Sequence, residues 1–351
     1  MILSVLYCGV DTLEATFDGT LSVGLPAKLD SAKNAAQASD QPVPFMIAGQ
    51  TFYVSGRGLG KYAWVLSDHR MQIRISRTKR QGMPVVGIRL WAQALASLGH
   101  AALYREACEV VADLGNIVPN TLSRIDLAAD VQGLDFTDAD FQRLVCAASY
   151  TAVHKDGEGV TYQIGKGDAV MRVYRKDAEL KAHKKLSYAT LWEHSPGYEP
   201  GAPVWRIEIQ LRGSVLSELH ARCVETAFSK LGELFQFGMH WCELRVPTSD
   251  ATKTRWPVDV RWSFVAASWG ASEPEPRIRK ASALEQEERV VSRLCGALAT
   301  LGAYSGQSSL LEVMIYALPR LEEHLKEKRV EFFDLWETKV ARIGYGEEVP
   351  F

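Results

Sequence analysis

The hydrophobic pattern changes period several times along the chain, and each change predicts an element. VDTLEATFDG (10–19) alternates apolar and polar residues and ends in a turn signal, so it predicts a strand. The apolar start MILSVLYC is read as part of the same buried first strand. PFMIAGQTFYVSGRG (44–58) predicts a hairpin about Gly49, and KYAWVLSD (61–68), MQIRISR (71–77) and MPVVGIRL (83–90) predict further strands. At residues 91–115 the period becomes helical, with Gly115 as the stop.

Strands resume at TLSRIDLAADVQG (121–133), and Thr137 and Asp138 then precede an apolar periodic run that predicts a helix over 135–150. GVTYQIG and AVMRVYRKD predict a hairpin about Gly165 to Asp168, VWRIEIQLRG (204–213) a strand, and 215–241 a helix. Strands, then a helix, then more strands indicate α+β with an antiparallel sheet and helices packed on one face. The proline- and glutamate-containing stretch at 269–280 reads as a linker between a domain at 1–268 and a helical domain at 281–351. Pro319 falls inside the last helical pattern and predicts a kink or break. No fixed-period repeat is apparent in the sequence.

Period two has a further consequence on three of these strands. Arg124, Asp126, Ala128 and Asp130 share one face of the first; Arg172, Tyr174 and Lys176 share one face of the second; Arg206, Glu208, Gln210 and Arg212 share one face of the third. The opposite faces are apolar. A solvated sheet face also alternates, so Asp–Arg pairs on such a face are the plain alternative. Aspartate is disfavoured in strands, however, and Asp126 and Asp130 sit mid-pattern. If the strands are neighbours, Asp126, Glu208 and Asp130 converge beside Tyr174. Oxygen ligands at that density suit Mg²⁺ or Mn²⁺, and a tyrosine beside carboxylates and cations suits phosphoryl transfer.

The composition is ordinary for a globular chain: 351 residues, 47% hydrophobic and 23% charged, with a net charge of −2. Nucleic-acid binding would therefore rest on local basic patches. One runs from Lys166 to Leu186, with seven lysines or arginines against three acids; another is SRTKRQG (76–82). Each has a solvated turn or hairpin as its plain alternative. Six scattered cysteines lack zinc or C-x-x-C spacing and read as reduced thiols of a cytoplasmic protein. The N-terminus lacks the basic region of a signal peptide, and no apolar run is long enough for a membrane span. SGRGLGKY (55–62) lacks P-loop spacing and reads as a loop, and most of the nine tryptophans as packing residues.

The triplet RIDLAAD, YQIGKGDAVMRVYRKDAE and WRIEIQLRG, with VDTLEATF ahead of it, resembles the replication initiation factor family. These are Rep_trans-type rolling-circle initiators of plasmids and filamentous phages, with related relaxases of mobile elements. The resemblance covers about residues 9–265. It implies a fold like that of the HUH nickases, although all eight histidines here are scattered and none forms the His-hydrophobic-His motif. It implies Tyr174 as the nicking nucleophile, forming a covalent 5′-phosphotyrosine, with Lys176 close to the scissile phosphate. Asp126, Glu208 and Asp130 are implied as ligands of Mg²⁺ or Mn²⁺. Arg124, Arg172, Arg206, Arg212 and Lys166 are implied DNA contacts. Arg175 stands where family members often carry Asp.

The expected partner is DNA, a double-strand origin with an extruded single strand. A helicase, host replication proteins and a second copy of the chain are further expected partners, and the C-terminal helices are open to any of these roles. A conjugative relaxase, an inert DNA-binding regulator on the same scaffold, and an α+β protein with no DNA role remain as alternatives.

Overall fold

The computed structural model describes residues 2–77, 83–156, 159–182, 190–270, 274 and 283–343. The chain divides into two compact units, 1–278 and 279–351. The boundary stretch read as a linker lies largely outside the described residues, as do most of SRTKRQG and residues 183–186 of the longer basic patch.

The first unit is α+β, built on one antiparallel sheet. Its strands in chain order are β1 (Ser4–Leu21), β2 (Val43–Ile47), β3 (Gln50–Val54), β4 (Trp64–Ser67), β5 (Met71–Ile75), β6 (Val86–Leu90) and β7 (Gly115–Gln132). Then come β8 (Leu144–Cys146), β9 (Thr151–Asp156), β10 (Gly159–Ile164), β11 (Ala169–Arg175), β12 (Val204–Arg212) and β13 (Cys242–Leu244). Eleven of them form a sheet in the order β2-β3-β4-β5-β6-β1-β7-β12-β11-β10-β9, and β8 pairs with β13 in a small separate ribbon.

This order contains an internal symmetry. β1 and β7 are both 18 residues long and pair antiparallel at the centre. On each side the last strand of its half returns beside the long one (β6 beside β1, β12 beside β7), and earlier strands follow outward. The second half thus repeats the path of the first, although no repeat shows in the residues.

Period two explains the layers. Leu13, Phe17, Ile125, Leu127, Ile207, Ile209 and Val173 line one face and are buried in the main core, against helices such as His100–Ala112 and Leu231–Trp241. Gly238 lets the second of these lie close on β12, since a Cβ there would fall 2.4 Å from Ile209 Cγ2. The opposite face carries the ionisable residues. At one end of it the short helices Lys176–Ala182 and Thr190–Glu193 form a roof, where Leu6, Leu180, Trp192 and Val204 make a second, smaller apolar cluster.

Several sequence expectations are corrected. The helix expected over 135–150 stops after Asp138–Phe141, and residues 144–146 instead become β8. Thr137 and Asp140 do cap that short turn reciprocally, the Asp140 carboxylate accepting from the Thr137 amide at 2.9 Å. The helix over 91–115 is broken at Gly99 (φ 80°), and the one over 215–241 is three pieces. Leu25–Ser39 forms a helix within the half that reads as sheet. Pro319 lies inside an unbroken helix, Leu310–Lys328, which ends instead at Arg329 in a left-handed conformation. The second unit otherwise contributes helices Ala283–Ser305 and Phe332–Ile343. No described helix is long and apolar enough to cross a membrane.

Candidate active site

The three polar strand faces meet. β12 lies between β7 and β11, with Arg206 opposite both Asp130 and Tyr174, Glu208 opposite Ala128 and Arg172, and Gln210 opposite Asp126. Alternation on each strand places the polar residues on one side, and antiparallel register brings them into rows. Tyr174, Glu208, Arg172, Asp126 and Arg124 are thereby assembled from segments up to 84 positions apart.

Glu208 is the hub. Its Oε2 accepts from the Tyr174 hydroxyl at 3.0 Å and its Oε1 from Arg172 Nη1 at 2.9 Å. Arg172 also reaches Gln210 Oε1 at 3.4 Å. Asp126, diagonal to Glu208, is held by the Arg124 fork, with Nε at 2.8 Å from Oδ1 and Nη2 on Oδ2. The Lys176 ammonium lies 5.7 Å from the centre of the Tyr174 ring and pairs with Glu179. Arg175, at the position that departs from the family pattern, pairs with Asp177.

Burial grades along this face. The Arg206 and Asp130 side chains are fully inaccessible, whereas 25% of Arg172 and 15% of Arg124 is exposed. Arg206 donates to Asp130 through Nε (2.5 Å) and Nη2 (2.8 Å) and to Asp11 through Nη1. The Trp192 indole in the roof adds a bond to Asp130 Oδ2 at 2.9 Å. This bears on two expectations. Arg206 has no accessible surface with which to touch a phosphate, and Asp130 spends its oxygens on a guanidinium fork and an indole. Both buttress the strand row beneath Tyr174.

Lys166 is not brought to the site. It lies in the β10–β11 turn, its Nζ 5.4 Å over the Tyr150 ring, with five residues of strand separating that turn from Tyr174. Arg212 stands opposite Arg124 at the far end of the row.

The environment sets the proton affinities. Burial, assisted by the charge of Glu208, pushes Tyr174 well above the usual phenol range. Burial, with the Glu208 and Asp11 charges, lifts Asp126 to about 7 against the opposing pull of Arg124. Tyr174 is therefore a neutral hydroxyl already bonded to a carboxylate, the arrangement of a nucleophile beside its base.

Among the described residues no group of three or more His, Cys, Asp or Glu side chains is placed to hold a metal ion. The donor set on this row is two carboxylates, Glu208 and Asp126, with Asp126 buried and held by the Arg124 fork. That set fits Mg²⁺, which is often bound through one or two carboxylates together with substrate phosphate oxygens.

Sequence reading missed Asp11. By strict alternation it shares the face of Leu13, but the register shifts between Val10 and Thr12, and this bulge leaves it on neither ladder pair. It also missed Trp192, which lies outside any motif strand, and the residues of the first half that continue the polar face. Glu14 was present in VDTLEATF, in phase with Thr12 and Thr16, and that phase was the available signal.

No protein-family model matches this chain, and no curated protein matches it. Among solved structures, it is similar to a rolling circle replication initiator protein from Geobacillus stearothermophilus. The likeness covers 79% of this chain and 99% of that one at 16% identity, with a TM-score of 0.47.

Proposed function

We propose that this chain nicks and rejoins one strand of DNA at a replication origin, using Tyr174 as the nucleophile. The observation that carries the reading is the 3.0 Å bond from the Tyr174 hydroxyl to Glu208, inside a row of carboxylates and arginines on a partly open sheet face. The motif order along the chain supports it as well.

In this reading Tyr174 Oη attacks the scissile phosphorus while its proton passes to Glu208. The P–O3′ bond breaks, the 5′ phosphate stays on Tyr174, and the O3′ leaving group takes up a proton to become a free 3′ hydroxyl. Reversal with a new 3′ hydroxyl rejoins the strand. The reaction conserves phosphodiester bonds, so it needs no energy-rich cofactor. Arg172 and Arg124 would hold the non-bridging oxygens and balance charge that builds up on them. Arg206, buried opposite Tyr174, holds the strand that positions it. Asp126 and Glu208 would hold a divalent ion, which supplies Lewis-acid stabilisation of the phosphate.

The test is a supercoiled plasmid carrying the origin associated with this chain, incubated with Mg²⁺ or Mn²⁺. The expected product is a nicked circle with protein on the 5′ end. Tyr174→Phe should fold normally and form neither the nick nor the adduct. Equal relaxation by Tyr174→Phe would remove Tyr174 from the mechanism, and nicking unchanged in EDTA would remove the metal.

A further inference from the structure

The polar face does not end at β7. On the first half of the sheet, β5, β6 and β1 carry Arg74, Arg89 and Glu14, and Glu14 stands opposite both Arg89 and Arg124. Arg74 Nη1 lies 3.2 Å from Glu14 Oε2, while Arg89 Nη1 and Arg124 Nη1 lie 3.7 and 3.9 Å from Oε1. Three guanidinium groups therefore gather near one carboxylate, two of them beyond hydrogen-bond distance, with Arg124 forked onto Asp126. The Nε–H of Arg89 is buried without an acceptor. Buried donors rarely go unmatched, and a cluster this rich in cations is under-neutralised by its own residues.

Two aromatic rings flank the cluster. The Arg89 guanidinium is 5.3 Å from the Trp91 ring centre. The Tyr62 hydroxyl lies over Gly87, where a Cβ would come within 2.7 Å of it, and Gly87 is the ladder partner of Arg74. Neither ring is fully buried. Cations with rings beside them on an open sheet suit a single nucleic-acid strand, whose backbone seeks charge and whose unpaired bases seek stacking surfaces. From β11 to β1 is three strand spacings, about 14 Å, so a strand lying on Tyr174 would reach the cluster within a few nucleotides.

We infer that Arg74 and Arg89 form a second phosphate-binding subsite, which holds the backbone of the single DNA strand engaged at Tyr174, with Tyr62 and Trp91 stacking its bases. The inference rests on the strand-nicking reading. Glu14 holds Arg74 and Arg89 in place when no strand is bound and competes with the phosphate for them.

The experiment measures binding of a fluorescent oligothymidine 20-mer by anisotropy over a range of salt, with full-length protein. Arg74→Gln/Arg89→Gln should weaken binding at least tenfold. It should also lower the slope of log affinity against log salt by about 1.4, since each lost phosphate contact on a single strand counts about 0.7. Glu14→Gln should bind more tightly than wild type, a gain that a merely structural cluster would not give. Arg74→Lys/Arg89→Lys should recover most of the lost affinity, and circular dichroism confirms that each variant is folded. Unchanged affinity in the double Gln variant, or weaker binding by Glu14→Gln, overturns the subsite. Equal dependence on these arginines for a blunt duplex of the same length overturns its assignment to a single strand. Nicking by Tyr174→Phe would remove Tyr174 as the nucleophile while leaving the oligonucleotide result standing, so the two failures are distinguishable.

Discussion

Arg206→Met tests the buttress beneath the site. The substitution nearly conserves volume but removes the three guanidinium bonds that satisfy two aspartates, one to Asp11 and a fork to Asp130. Asp11 keeps 14% of its side-chain surface and can turn to water. Asp130 cannot: it is wholly buried and would retain the Trp192 indole as its hydrogen-bond donor. Breaking a buried pair by removing one partner costs about 3–5 kcal/mol, because an uncompensated charge stays inside. The lower figure applies if the sheet opens enough to hydrate Asp130, the higher if the roof holds.

Equilibrium urea unfolding followed by tryptophan fluorescence measures this directly, and Trp192 reports from the pair itself. Arg206→Met/Asp130→Leu removes both charges and should recover most of the loss, giving a coupling energy of at least about 2 kcal/mol. A single-variant cost under about 1 kcal/mol, or a double variant equal to the sum of the singles, would refute the view that this pair is a dry structural unit.

Cys146 faces Cys242 across the β8–β13 ribbon, and the bond from the Cys242 thiol holds Cys146 down at about 6, so iodoacetamide should label it half-maximally near that pH. Cys242→Ala should restore ordinary thiol behaviour; labelling that begins above pH 8 in wild type would contradict the pairing. Cys8, pushed up to about 11 by burial, should stay unlabelled under the same conditions. Asp140 and Asp259 are raised by burial but brought below the usual carboxylate range by Arg261 and Arg143. Their depressed affinities contribute stability above the unfolded value of about 3.9, lost as the pH falls below it. Arg261→Gln should therefore melt lower than wild type at pH 6 and converge with it near pH 2.5; a constant gap across that range would refute the ion-pair account. Gly165 turns from β10 toward β11 at φ 79°, and a Cβ there would lie 2.6 Å from the Ala169 carbonyl and 2.7 Å from Trp241. Gly165→Ala should cost about 1–3 kcal/mol in urea unfolding, and a neutral result would show that the turn can relax.

Alternation exposed the site because antiparallel sheets with one covered face write their layers into the sequence. Reading Arg124-Asp126, Arg172-Tyr174 and Arg206-Glu208 in phase placed each side chain on the correct side of its strand, and adjacency of the three strands was then a matter of topology. What failed to show was non-periodic. The β1 bulge moves Asp11 out of phase, so no fixed period could bring it to Arg206. The apolar run after Thr137 has a good helix start, yet pairing of residues 144–146 with 242–244 overrides it from a hundred positions away. The repetition of the strand path in the two halves is carried by backbone topology, and the residues placed on the two halves do not repeat with it.

The separation of site from scaffold also lies outside the strand pattern. Asp126 and Asp130 are four positions apart on one face of one strand, both with arginine partners, and no periodic reading separates them. Their difference comes from the helices Lys176–Ala182 and Thr190–Glu193. Trp192, 62 positions from Asp130, bonds Asp130 from that roof, while Arg172 keeps 25% of its side-chain surface exposed. Desolvation turns the covered pair into a rigid strut, while beyond it the Arg172 and Arg124 side chains stay 25% and 15% exposed beside the buried Glu208 and Asp126. Tyr174 sits at the edge of the roof, with its ladder partner Arg206 beneath the cover and its hydroxyl on Glu208 beyond it. A tyrosine at that boundary is anchored by the buried charges on one side, so loosening the roof should disorder Tyr174 before it unfolds the sheet.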